Sequence, residues 1–415
     1  MTRIEPFRGM RYNAEAVGSI ADVISPPYDV ISPEAQQELY DCHPANFVRL
    51  EYGKHGGGKD RYASARRLMN AWLEDGTLIE ENSPAFYVYE QTFKLPEAEQ
   101  MERRRLTAFA AIQLEPWGNG VYPHERTLAA PKADRMRLME ACRANLSPIL
   151  GVAQDPHGIF NNALRETADA SEPAVDAVDA LGQRHRLWVV HKPSETERIQ
   201  HAFDGAGVTI ADGHHRYETA LAYRSRHPNG AADFALIGLT SSGAEDLVIL
   251  PIHRLVSGVA SERLSTLAEN LKQSFHIRRR RLDKKLTDEK VDFSLYMGGE
   301  ELLDAELRGD AAGALADLPP ALAELSVSKL HAVLLRETLH IDTNKEAGQR
   351  QVSYTPRRAE ALDKVRGGEA QLAALTRPMP MSTVEKTARA GCAMPQKSTY
   401  FYPKLASGLV ALRLF

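Results

Sequence analysis

Cysteine is scarce: the 415 residues hold three, Cys42, Cys142 and Cys392, and they lie far apart. They form no CxxC pair, so neither a disulfide framework nor a cysteine-type structural zinc site is expected, and the usage suits a reducing compartment. Long apolar runs are also missing. No stretch approaches the roughly 20 apolar residues that cross a bilayer. The opening Met1-Thr-Arg-Ile-Glu-Pro-Phe-Arg8 lacks the apolar run of a secretory signal. A cytoplasmic protein without a membrane partner is therefore expected. Nor is there an excess of one charge: the formal net charge is -4. With no helix-turn-helix signal either, no nucleic-acid partner is expected. No internal repeat is evident.

What remains is ordinary for a folded soluble chain, with 43% apolar and 26% charged residues. The length suggests about two or three domains. The pattern of elements predicts a mixed α/β (α+β) fold in three regions. Residues 1–104 read as an N-terminal α/β region. In it, Ser25-Pro-Pro-Tyr-Asp29 is a rigid turn. Ser32 is an N-cap followed by proline at the first helical position. Gly53 to Lys59 is a flexible glycine-rich stretch, Asp60 to Glu74 a helix, and Ala85 to Phe93 a strand. Residues 105–260 alternate strands and helices. Strands are expected at 106–114, 186–190, 208–210, 235–240 and 247–252. Helices are expected at 132–145, after a capping box at Ser194 and Glu197, and at 217–226. Residues 261–415 begin with a charged, helix-leaning stretch to about 350 that carries the basic run Arg278 to Arg281, read as a solvated face. Helices follow at 357–375 and 382–390, with Gly391 as C-cap and Leu409 to Phe415 as a last strand.

The strongest chemical signal is Thr209-Ile-Ala-Asp-Gly-His-His-Arg-Tyr-Glu218, in which a strand ends, a glycine turns and a helix begins. The first N–H groups of a helix have no internal partner and carry its positive dipole end, so a phosphate placed there accepts several hydrogen bonds. Gly213 lets the backbone approach an anion. His214, His215 and Arg216 stand beside it, and Arg216 can grip two phosphate oxygens. Asp212 could bind magnesium or accept a proton. A zinc site is the competing reading of the histidine pair, but adjacent helix residues point about 100° apart and seldom share one ion. A second signal is Tyr122-Pro-His-Glu-Arg126, where a loop carboxylate beside a histidine offers a general base. A third is Pro395-Gln-Lys-Ser-Thr399, a lysine and two hydroxyls that can bind phosphate by charge and hydrogen bonds. It lacks the upstream glycines of a P-loop. Lesser candidates are Phe7-Arg-Gly-Met10, Asp29, Asn46 with Arg49, and His253-Arg254.

Four segments carry a resemblance along the whole chain: Pro26-Pro-Tyr-Asp-Val30, Ile210-Ala-Asp-Gly-His-His-Arg-Tyr-Glu218, Pro251-Ile-His-Arg-Leu255 and Met394-Pro-Gln-Lys-Ser-Thr-Tyr-Phe-Tyr-Pro-Lys404. They resemble the bacterial family labelled domain of unknown function 1015. Shorter motifs resemble the archaeal free serine kinases of ParB/sulfiredoxin-like fold, which carry Pro-His-Glu-Gln, Val-Asp-Gly-His-His-Arg and Pro-Lys-Thr-Thr in that order. Here stand Pro123-His-Glu-Arg126, Ala211-Asp-Gly-His-His-Arg216 and Pro395-Gln-Lys-Ser-Thr399, with Arg126 in place of a glutamine and Gln396 between proline and lysine.

The resemblance implies a ParB/sulfiredoxin-like core at 105–260 with added N- and C-terminal α/β regions, the last returning Lys397, Ser398 and Thr399 to the site. It implies phosphorylation of free L-serine to O-phosphoserine, with ATP or ADP as donor and Mg2+ as cofactor. Glu125 would be the catalytic base and Asp212 also catalytic. Gly213, His214, His215 and Arg216 would bind nucleotide phosphates, and His124, Lys397, Ser398 and Thr399 the substrate. Two other readings stay open: a non-catalytic nucleotide-binding switch of the ParB type, and a metal-dependent hydrolase using His214 and His215.

Overall fold

The computed structural model describes residues 2–54, 60–228 and 230–414, so most of the expected glycine-rich stretch, 55–59, lies outside the described residues. The chain forms two compact units. Met1–Pro123, Thr127–Leu247 and Pro403–Phe415 make the first; His124–Arg126 and Val248–Tyr402 make the second. No described helix is long and apolar enough to cross a membrane.

In the first unit, helix α1 (Pro33–Cys42) starts where proline at the first position and the Ser32 side chain, which accepts from the Ala35 N–H, predict it. Helix α2 (Arg61–Glu74) is capped by Asp60. A large sheet is built from β1 (Phe86–Leu95), β2 (Ala98–Gln113), β3 (Val121–Tyr122), β4 (Ile149–Ala153), β5 (Val175–Val178), β6 (Arg184–Val190), β7 (Val208–Asp212) and β8 (Phe234–Ser241). Their spatial order is β3-β7-β4-β8-β2-β1-β6-β5, and Ile4–Glu5 pairs with β2. Strand β1 is buried from Phe86 to Gln91, which is why it reads as an almost unbroken aromatic and β-branched run.

A boundary at residue 104 meets this sheet: Arg104 lies inside β2 opposite Thr92, and the hairpin hydrogen bonds hold both sides together. A short four-stranded sheet places Ala411–Arg413 between Gly9–Tyr12 and Ala144–Asn145, tying the C-terminal segment into this unit. Helices α3 (Ala129–Cys142), α4 (Pro193–Phe203) and α5 (His214–Arg226) complete the part that matters for the site. The box expected at Ser194 does not form. Pro193, with its fixed φ, takes the start of α4, and Lys192 becomes the N-cap.

The second unit contains an all-antiparallel sheet of β9 (His253–Val256), β10 (Phe275–Arg281), β11 (Phe293–Tyr296), β12 (Glu301–Leu307), β13 (Val352–Thr355) and β14 (Leu372–Leu375). The order is β10-β12-β11-β14-β9-β13. Its helices include α6 (Ser261–Ser274), α7 (Arg358–Arg366) and α8 (Met381–Arg389). Alternate residues feed two cores. Val256, Leu267, Phe275, Phe293 and Leu330 pack on one face, and Leu255, Tyr296, Leu302 and Leu362 on the other.

Two expectations are corrected here. The charged stretch is not helical throughout: between α6 and Gly309 it carries strands β10, β11 and β12, with Arg278 to Arg281 in the edge strand β10. There, cross-strand pairing with acids overrides helix propensity. The helix expected over 357–375 stops at Arg366, and after Gly367 and Gly368 the chain becomes β14.

Candidate functional site

In the first unit, β7 ends in a bulge: register shifts between Ile210 and Asp212, which lands opposite Leu150. Gly213 follows with φ 92, in the left-handed region that a side chain disfavours. A Cβ there would lie 2.9 Å from Arg216 Nε, so the guanidinium packs flat on the glycine backbone. Helix α5 begins at once with Gly213 as N-cap and no side-chain cap. Its first internal bond is Tyr217 N–H to Gly213 C=O, at 2.9 Å. The preceding amides are not used by the helix, the arrangement expected for an anion site.

The surrounding charges are already committed to one another. Arg216 donates from one Nη to the Pro148 carbonyl and from the other to Asp212, while its buried Nε meets no hydrogen-bond partner among the described residues. Lys404 Nζ lies 2.8 Å from Asp212 Oδ1 and also pairs with Asp29. Burial works to raise the Asp212 pKa, but Lys404 and then Arg216 outweigh it and hold the carboxyl well below the usual range. Burial opposes the Lys404 charge as well, yet Asp212 and Asp29 raise its pKa well above normal. Asp212 is therefore a fixed anion and a poor proton acceptor. Both of its oxygens already hold cations, and Lys404 pairs with Asp29 as well, so Asp212 does not fit as a magnesium ligand.

His215 also differs from a cationic phosphate clamp. Its Nε2 accepts from the Leu128 N–H at 2.9 Å, and burial lowers its pKa against the opposing pull of Glu218. A neutral ring that accepts at Nε2 carries its proton on Nδ1, which leaves a donor. Glu218 receives Thr127 Oγ1 at 2.6 Å, Lys132 Nζ at 2.7 Å and Trp117 Nε1 at 3.3 Å. His215 and Glu218 thus pin Thr127 and Leu128 to α5. His214 is buried at the same turn.

The Ser25-Pro-Pro turn delivers Tyr28 and Asp29, held from behind by Asn46 Nδ2, which donates to the carbonyls of Asp22 (2.8 Å) and Ile24 (3.1 Å). The Arg135 guanidinium lies 3.8 Å over the Tyr28 ring. Lys404 went unassigned in the sequence; its signal was a lone cation at the end of the Tyr-Phe-Tyr-Pro-Lys run. Gln91 Nε2 fixes its carbonyl at 3.1 Å, and Arg105 fixes that of Pro403 at 2.6 Å.

In the second unit, two motifs some 270 residues apart in sequence meet. Glu125 bridges in parallel with Met394, and the Met394 N–H donates to the His124 carbonyl at 2.9 Å. His124 Nε2 lies 2.8 Å from Thr399 Oγ1, and the Ser398 N–H donates to Glu125 Oε1 at 3.3 Å. Lys397 is exposed and left-handed, with φ 58. Of the lesser candidates, Phe7 and Gly9 are framework: Phe7 bridges to Ala85, and the Gly9 N–H donates to the Tyr87 hydroxyl at 2.7 Å. The run Arg278 to Arg281 is neutralised. Arg278 pairs with Asp288 and Glu306, Arg279 with Glu301, Arg280 with Asp304 and Arg281 with Asp283. Among the described residues, no group of three or more His, Cys, Asp or Glu could hold a metal ion.

These features define a mixed α/β protein with an uncapped helix start in one unit and a joined carboxylate, histidine and lysine loop in the other. The chain belongs to the family described as Protein of unknown function (DUF1015), which matches residues 4–328. No curated protein matches the sequence. Among solved structures it is similar to a free serine kinase in complex with AMP, at 12% identity over 74% of this chain and 93% of that one, TM-score 0.34. It is similar to a mutant free serine kinase in complex with ADP, at 13% identity over 74% and 94%, TM-score 0.38. It is also similar to SbnI with C-terminal truncation from Staphylococcus aureus, at 12% identity over 73% and 87%, TM-score 0.37.

Proposed function

We propose that this chain is a small-molecule kinase that uses ATP or ADP to phosphorylate free L-serine to O-phosphoserine. The observation that carries the reading is the pairing of Pro123-His-Glu125 with Lys397-Ser-Thr399 through Ser398 N–H to Glu125 and His124 to Thr399. The motif resemblance assigns the base to one of these segments and substrate contacts to the other. A second support is the strand-glycine-helix junction inside the first unit: Gly213 follows the C-terminal end of β7, where ligands of α/β sheets gather.

In this reading the amides at the start of α5 and the Nδ1–H of His215 hold donor phosphates. Arg216 and Lys404 act through charge and by fixing Asp212, rather than through a two-pronged grip. Glu125 takes the serine hydroxyl proton as that oxygen forms its bond to the terminal phosphorus and the bond to the departing nucleotide breaks. Thr399 and His124 orient the acceptor, with Lys397 and Ser398 beside it. Phosphoryl transfer asks mostly for such positioning and charge placement. Asp212 does not fit as a ligand for magnesium, so no step here depends on the metal.

The test is incubation with labelled ATP or ADP and a panel of small hydroxyl compounds that includes L-serine, followed by detection of O-phosphoserine. Glu125→Gln should lower the rate by about 10² to 10⁴. Transfer at the wild-type rate in that variant would remove Glu125 as the base, and hydrolysis without transfer to any compound would end the kinase reading.

A further inference from the structure

Arg254 is 1% exposed, yet its three hydrogen-bonding nitrogens all meet neutral acceptors. Nη1 donates to the Ile252 carbonyl, Nη2 to the Lys397 carbonyl at 2.9 Å, and Nε to His331 Nε2 at 3.3 Å. Tyr354 lies under the guanidinium, 5.5 Å to the ring centroid. Burial pushes the Arg254 pKa down to about 10, with Tyr354 and Glu125 opposing. His331 is fixed in turn. Burial pushes its pKa down to about 3, so the ring is neutral; Nε2 accepts from Arg254, and Nδ1 faces Thr343 Oγ1 at 3.1 Å. It stands on a π-helical segment, Leu330–Thr338, a rare geometry that often marks functional positions.

The carbonyl that Arg254 grips belongs to Lys397, whose left-handed backbone is disfavoured for a residue that carries a side chain. A free loop would relax out of that conformation. The next residue sends its N–H to Glu125, and the one after that meets His124. We propose that Arg254, seated on His331, is a positioning residue that holds Lys397 left-handed so that Ser398 and Thr399 fix Glu125 and His124. It touches no reacting atom. The proposal rests on the kinase reading for its consequence in catalysis, while the hold on the loop stands or falls by itself.

Two readouts separate these. Trypsin cleavage after Lys397, followed by mass spectrometry on the full chain without substrate, reports the loop. Arg254→Met and Arg254→Lys should both be cut faster than wild type by about tenfold, because a lysine keeps the charge but not the fork. His331→Leu, which removes the Nε acceptor and leaves both Nη contacts of Arg254 in place, should shift cleavage in the same direction by less, and it serves if the Arg254 variants fail to fold. Serine phosphorylation reports the consequence: kcat should fall about tenfold or more in Arg254→Lys while KM for the nucleotide changes less than about twofold. Wild-type protection at Lys397 in both Arg254→Lys and His331→Leu would overturn the proposal, as would full kcat in Arg254→Lys. A loosened loop in a chain whose wild type transfers no phosphate would leave the hold standing and remove the kinase reading.

Discussion

Replacing Lys404 by methionine should destabilise the first unit, and the size of the effect can be worked from the structure. The Lys404 side chain is 12% exposed and sits between Asp212, 21% exposed, and Asp29, 31% exposed. Removing one partner of a fully buried pair costs about 3–5 kcal/mol, because the remaining charge is stranded. Two carboxylates lose their shared cation here, but Arg216 still holds Asp212, and all three groups keep some water. A loss of about 2–4 kcal/mol follows. All three tryptophans, Trp72, Trp117 and Trp188, lie in the first unit, so their fluorescence during urea unfolding reports it alone. The midpoint should fall by about 1 M with the slope unchanged. Adding Asp29→Asn to the Lys404 variant should recover at least about 1 kcal/mol, since one stranded charge is gone. A loss under about 1 kcal/mol, or a double variant weaker than the single one, would refute the charge cluster as described.

Gly213→Ala should cost about 2–4 kcal/mol by the same fluorescence assay, from the left-handed φ and the contact with Arg216, and should weaken nucleotide binding; an unchanged midpoint would mean the turn is not built this way. The second unit should lose stability in acid. His253 and His331 have folded pKa values of about 4 and about 3, lowered by burial. Both lie below the ordinary value near 6.5, so the unfolded chain binds more protons through this window. Stability is whole above about pH 6.5 and falls as pH drops towards 4, by roughly 2–3 kcal/mol per histidine near pH 4.5. Circular dichroism melts of wild type and His331→Gln should differ in slope over that range, and parallel slopes would sink the assignment.

The sequence was most legible where local chemistry decides. Ser32-Pro33 opened α1 as its capping residues require, and Asp60 opened α2. The strand, glycine and helix of the 208–226 segment followed from the φ that Gly213 must adopt. It was least legible where partners come from afar. The basic run became an edge strand because acids from β12 and from neighbouring turns neutralise it. The helix expected to reach residue 375 gave way to β14 because that segment completes a sheet buried on both faces.

Within the candidate site, the residue types were readable and their commitments were not. A strand-glycine-helix junction and the motif around Glu125 are local patterns, and chain geometry alone fixes them. Whether Arg216 faces a ligand or braces Asp212, and whether His215 is charged, depends on Pro148, Leu128 and Lys404, which no spacing rule connects to residue 213. The same holds for Arg254, whose target lies 143 residues away. Short-range sterics write themselves into sequence, whereas the pairing of buried charges is decided only when the folded chain sets which groups share the interior.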